Sequence, residues 1–181
     1  MTPLVTALVL GSALLHASWN AIIKSSRDVM LDTALVAAGA GVLALPLAAI
    51  VPLPASASWP YLGASAVIHV AYFSTLVAAY RLGDLGHAYP LMRGTAPLLV
   101  ALFGIVLLDE HLSATTWLGI VLISAGILSL GLQQRGRAHR DATLWALANA
   151  AIIACYTLVD GAGARLAGTP AAYVAWLFWL Q

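Results

Sequence analysis

Gly86 to Leu108 reads GHAYPLMRGTAPLLVALFGIVLL. The stretch is long enough to cross a bilayer, which takes about 20 consecutive, mostly apolar residues. Yet it carries one guanidinium, Arg93, and two prolines, Pro90 and Pro97. A charged side chain at the bilayer centre costs about 2.5–3.5 kcal/mol on insertion scales, so an intramembrane arginine marks a functional site by default. Prolines are tolerated at that depth where neighbouring helices or side chains satisfy the freed backbone groups. A charge and two helix breakers in one span point to a polar cavity between helices.

The remaining sequence agrees. Of 181 residues, 62% are hydrophobic and 8% charged, with mean hydropathy +0.94. A soluble domain carries about 25% charged residues, so there is too little charge here to coat a surface facing water. The expected class is all-α: a polytopic helical membrane protein whose solvent is the lipid bilayer. A net charge of +1, with no basic patch beyond one short loop, gives no grip on nucleic acid. The single cysteine, Cys155, has neither a disulfide partner nor metal-site spacing and reads as a small packing residue. The N-terminus MTPLVTALVLGSALLHASWN lacks a positive n-region and runs on into a longer span. It reads as the first membrane helix rather than a cleaved signal peptide.

By length and apolarity the spans fall at residues 3–24, 30–51, 59–80, 86–108, 115–133 and 142–164. A seventh apolar run, AAYVAWLFWLQ from Ala171 to Gln181, is too short to cross, so the chain is expected to stop in mid-span. Either it is a fragment of a longer protein or its last helix is incomplete. Pro52, Pro54 and Pro60 bracket the second connection, and Ser113 is a fitting N-cap for the fifth helix. Trp59, Tyr61, Tyr80, Trp117 and Trp145 fall near span ends, where an aromatic belt belongs. Lys24, Arg27, Arg81, Arg135, Arg137 and Arg140 all fall in odd-numbered connections, against Arg165 alone on the other side. That bias makes the odd connections cytoplasmic and the N-terminus external; the alternative is that the loop RGRAHRD alone sets orientation. Ser18-Trp19-Asn20 of the first helix overlays Cys155-Tyr156-Thr157 of the sixth. Five spans apart, the two cross in opposite directions, as inverted repeats do.

Residues three and four apart share a helix face, and four helices each show one polar stripe. These are Ser12, His16, Trp19 and Asn20; Ser65, His69 and Tyr72; Tyr89 and Arg93; and Asn149, Tyr156 and Asp160. At about 1.5 Å per residue, Asn149 and Arg93 lie roughly 10 Å from the face carrying the basic loops, His16 roughly 12 Å and His69 roughly 16 Å. One cavity can hold all four. Its expected lining is His16, Trp19, Asn20, His69, Tyr72, Tyr89, Arg93, Asn149 and Tyr156, with Asp160 nearer the opposite face. Each has a plainer reading: histidines bonded to helix backbone, aromatics that only pack, an Arg93 that snorkels, an Asp160 at the interface. Pro97 frees the carbonyl of Arg93 itself, so Pro90, Gly94 and Pro97 form a candidate hinge; curvature around a bundle fits them equally. The second helix, with Ala37, Gly41, Ala44 and Ala48 on one side, and the fifth, with Gly119 and Gly126, read as packing helices.

No HExxH, GxSxG or phosphate loop occurs, and the five histidines lack metal-ligand spacing. No catalytic residue, metal or cofactor is expected. The run AYRLGDLGHAYPLMRGTAPLLVALFGIVLLDEHLSATTWLGIVLISAGILSL, with LLHASWNAIIK before it, resembles the EamA-type proteins of the drug/metabolite transporter superfamily. Arg93-Gly94, Pro97, the helix-end Glu110 and Trp117-Leu118-Gly119 match in order. The resemblance implies a ten-helix carrier of two inverted five-helix repeats, exporting or exchanging small metabolites such as amino acids through a central cavity. Residues 1–133 would form the first repeat, 134–141 a basic connecting loop, and 142–181 the incomplete start of the second. Family members are expected to keep both termini cytoplasmic; the charge count argues otherwise and is followed here. The expected function is alternating-access transport of a small polar or anionic metabolite across the bacterial inner (plasma) membrane. Proton coupling would run through His16 or His69, since an unperturbed imidazole titrates near neutral pH. The alternative is a non-transporting helical scaffold or partner subunit, or half-carriers assembled as a homodimer.

Overall fold

The computed structural model describes residues 3–108, 111–131 and 137–181. Glu110 and part of the basic connection lie outside them. Among the described residues all regular structure is helical: α1 Pro3–Ser25, α2 Val29–Ile50, α3 Trp59–Leu82, α4 Leu85–Leu108, α5 Ala114–Gly131, α6 Arg137–Leu166 and α7 Pro170–Leu180, with one 3₁₀ turn at Ser56–Ser58. Five of these, α1 to α4 and α6, are long and apolar enough to cross a membrane; α5 and α7 are shorter apolar helices. The fifth span, read from the sequence at residues 115–133, is α5, whose 18 described residues reach about 27 Å. Helix α6, at 30 residues, begins inside the expected connecting loop at Arg137. A helix leaving the bilayer keeps its own hydrogen bonds, so charged residues at the interface extend it rather than end it.

Local chemistry sets the helix ends. Asp28 Oδ1 accepts from the amides of Met30 and Leu31 at 3.0 and 3.1 Å, capping α2 after a three-residue turn. Ser113 Oγ accepts from Thr116 N at 3.1 Å, the cap expected for α5. Thr169 caps α7, with Pro170 in its first turn and Gly168 at φ 84° before it.

α6 lies at the centre, packed along α3 and α4. Ala142, Ala146, Ala150 and Ala154, one per turn, are all fully buried. Small side chains let helix backbones approach closely in lipid, where no water drives the helices together. α2 meets α7 where a Cβ on Gly41 would stand 3.2 Å from the Phe178 carbonyl, so the small side of α2 is a packing face as expected. The glycines of α5 are not: a Cβ on Gly119 or Gly126 would meet nothing within 4 Å. α5 instead offers Ile127 and Leu128 to Gly94 of α4, where a Cβ would lie 3.2 Å from both side chains. Gly94→Val is therefore expected to force α4 and α5 apart at a cost of about 1–3 kcal/mol. A thermal melt in detergent checks it, with Gly119→Val as the variant that leaves the midpoint unmoved.

α1 is held differently. Its flank is apolar and open, with Leu10 and Leu14 at 64% and 69% exposure, as suits a surface against lipid. Polar side chains one turn apart fasten it. His16 meets Arg93 of α4, Asn20 accepts from the Tyr80 hydroxyl of α3 at 2.6 Å, and Lys24 donates to the carbonyls of Tyr80 and Gly83 at 2.5 and 2.6 Å. The ammonium of Lys24 thereby sits on the negative end of the α3 dipole.

Candidate functional site

A cavity of about 720 Å³ opens between α1, α2, α3, α4, α6 and α7. That is within the usual range of about 300–1,000 Å³ for small-molecule sites. Six of the nine residues expected to line it do so: His16, Trp19, His69, Tyr72, Arg93 and Tyr156. Asn20, Tyr89 and Asn149 are not on its wall. They border a narrow gap directly behind, shared with Arg93 and Tyr80. Asn149 is wholly buried because its amide serves the bundle, donating to Tyr72 O at 2.9 Å and Thr75 Oγ1 at 2.8 Å to join α6 to α3.

Arg93 is the centre of the arrangement. Its guanidinium donates to His16 Nε2 and lies 5.9 Å from the centre of the Tyr89 ring, within cation–π range. Arginine has no acceptor, so Nε2 of His16 must present a lone pair. Trp19 Nε1 donates to the other nitrogen, Nδ1, at 3.0 Å. A neutral imidazole has one acceptor nitrogen, so two donors compete for His16. The opposite imbalance stands behind: Asn149 Oδ1 is buried with no donor. Both mismatched acceptors border the same guanidinium. Arg93 also lines a second cavity of about 400 Å³ on its far side, between α4, α5 and α6.

The opposing wall is aromatic. His69 and Tyr156 rings lie 4.3 Å apart at 31°, and Tyr72 stands edge-on to Tyr156 at 5.7 Å. His69 Nδ1 bonds the Ser65 carbonyl at 2.9 Å. A carbonyl only accepts, so Nδ1 carries the hydrogen and the acceptor nitrogen is Nε2. The backbone-bonded histidine and the packing aromatic, set out as plainer readings, are thus also true of residues on the cavity wall.

Asp160 was expected near the interface and outside the site. It lines the cavity, one turn beyond Tyr156, and its Oδ1 accepts from the Tyr173 hydroxyl at 3.0 Å. Its place four residues after Tyr156 was the available signal. Phe73 and the small α2 residues Val36, Ala37 and Ala40 also line the cavity. Nothing in an apolar sequence distinguishes a cavity wall from a lipid face, so these carried no signal. Pro90, Gly94 and Pro97 lie within one unbroken helix, α4. Among the described residues no group of three or more His, Cys, Asp or Glu side chains is arranged to hold a metal.

An apolar helical bundle with five helices long and apolar enough to cross a bilayer is a multi-pass membrane protein. The chain belongs to the EamA-like transporter family, which matches residues 4–132. A curated relative from Sinorhizobium sp, named "Uncharacterized transporter in cobO 3'region", is 33% identical over 75 residues, covering 41% of this chain and 52% of that protein. The chain spans about half the length of the curated relative it matches. No solved structure matches it. The family is one of transporters rather than enzymes.

Proposed function

We propose that the protein is part of an alternating-access carrier for small polar metabolites bearing an anionic group, acting in the plasma membrane. One observation carries this reading. A guanidinium faces a cavity of about 720 Å³ inside an apolar bundle, where its partners are the His16 imidazole and the Tyr156 side chain, with the Tyr89 ring behind it. A carboxylate or phosphate is a stronger acceptor for arginine than a neutral imidazole, so an anionic solute displaces His16 from Arg93.

Alternating access follows from what flanks Arg93. The side chain borders cavities on both sides, and the unpartnered Asn149 Oδ1 lies behind it. A swing from His16 toward Asn149 relieves both mismatches and moves a bound anion from one side to the other. Pro90, Gly94 and Pro97 are the proposed hinge. Protonation of His16 would place two cations in contact and favour the same swing, which is the proposed route of proton coupling. In the complete carrier, residues 1–133 form the first repeat and the helices from residue 142 begin an inverted second, whether in one chain or across a homodimer.

The test is uptake of a labelled metabolite panel into vesicles carrying the full-length protein. Arg93→Ala is expected to lower uptake of anionic substrates about 100-fold, as loss of a charged hydrogen-bond partner worth about 3 kcal/mol implies. His69→Ala is expected to weaken binding less. If both variants carry substrate at the parental rate, the assignment of this cavity is wrong.

A further inference from the structure

We infer that the substrate of this cavity is an ω-amino acid: a carboxylate and an ammonium held apart by an extended apolar spacer. The inference rests on the carrier reading above and adds the substrate's charge pattern. Arg93 and Asp160, of opposite sign, line the same cavity, and each has a neutral partner of its own, His16 for the guanidinium and the Tyr173 hydroxyl for the carboxylate. Opposite charges in an apolar bundle are expected to pair with each other. Here they are kept apart across a cavity, so each can serve a different end of one solute.

The spacing follows from α6. Tyr156 lies within electrostatic reach of Arg93, and Asp160 is four residues further on, about 6 Å along the helix. Between them the wall is the tilted pair of His69 and Tyr156 rings with Tyr72 edge-on, aromatic faces against which methylene groups can pack. The Tyr173 hydroxyl occupies Oδ1 of Asp160, and Oδ2 can accept from an ammonium. That ammonium also meets the electron-rich aromatic faces. An α-amino acid carries both charges on one carbon. Seated on Arg93, it would bring its ammonium against the guanidinium, a like-charge contact, and leave Asp160 unused. The same contact penalises lysine-like substrates, which keep an α-ammonium.

Four compounds of one chain length decide it: 5-aminopentanoate, its isomer norvaline, pentanoate and pentylamine. They are offered as competitors and as labelled substrates to vesicles carrying the full-length protein. In the parental protein 5-aminopentanoate is expected to be preferred about tenfold or more over each of the others, since each leaves one cavity-lining charge without its partner. Asp160→Asn is expected to erase the preference over pentanoate while pentanoate is still carried, and Asp160→Glu to restore it. Norvaline or pentanoate competing as well as 5-aminopentanoate in the parental protein overturns the inference, a result that needs no variant to fold. So does a preference that survives Asp160→Asn. Uptake of other anionic metabolites with no preference within the quartet sinks this inference and leaves the carrier reading standing. Absence of uptake for every metabolite sinks both.

Discussion

Ala150→Leu is expected to lower the melting temperature by about 5–10 °C and to broaden or split the monodisperse peak in detergent. Ala150 is fully buried in a cluster with Leu76 of α3 and with Leu91 and Met92 of α4. It belongs to the alanine stripe on which the central helix meets both neighbours. Three added carbon atoms press on those side chains, and α3 and α4 cannot yield independently because α6 touches both. Overpacking of a closed core costs about 1–3 kcal/mol, and more where the backbone must move. The matched control is Ala148→Leu, two residues away on the same helix and exposed, where the added carbons face lipid. If both variants melt with the parental protein, α6 is not the packed centre of the bundle.

The second large effect is at Gly163. A Cβ there would lie 2.5 Å from Tyr173 Cε2, 2.6 Å from Tyr61 Cβ and 2.7 Å from the Tyr173 hydroxyl. Tyr173 is wholly buried, and Tyr61 Cβ cannot move without its backbone. Gly163→Ala must therefore push α7 and the start of α3 away from α6, carrying the Tyr173 hydroxyl off Asp160. A drop of several degrees in the melting midpoint is expected, on an overpacking cost of about 1–3 kcal/mol. Gly161→Ala, which meets nothing within 4 Å, should leave the midpoint in place or raise it by removing backbone freedom. Combining Gly163→Ala with Tyr173→Ala should cost less than the sum of the two alone, because one substitution removes what the other strikes. Strict additivity would mean the two side chains do not meet.

The helices were legible in the sequence because lipid imposes one requirement on all of them: an apolar run with its backbone bonded internally. That requirement placed α1 to α4 to within about two residues of their ends. It misjudged α6, whose start is polar, since apolarity reports the bilayer and not the helix. The stripe rule found Arg93, His16, His69, Tyr72 and Tyr156 because a polar face among apolar ones must turn inward. It set Asn20, Tyr89 and Asn149 on the cavity wall, whereas they stand one layer behind. Both positions satisfy the same rule; only the packing of neighbouring helices separates a residue facing space from one bonded to a backbone. The glycines of α5 failed for a related reason. A small residue permits a close approach, and whether a partner arrives is decided by the partner.

By itself, then, the sequence determined a lipid-embedded helical chain of the EamA-like family with a guanidinium inside a membrane span, because hydropathy and the cost of an intramembrane charge are local properties. The tertiary structure decided what that charge faces. It set Arg93 between two cavities, brought His16 and Trp19 into competition beside it, left Asn149 Oδ1 without a donor, and drew Asp160 onto the same wall. Those facts depend on how the seven helices are rotated about their axes. In lipid, where apolar faces are interchangeable, that rotation is set by small-residue contacts and a few hydrogen bonds between helices.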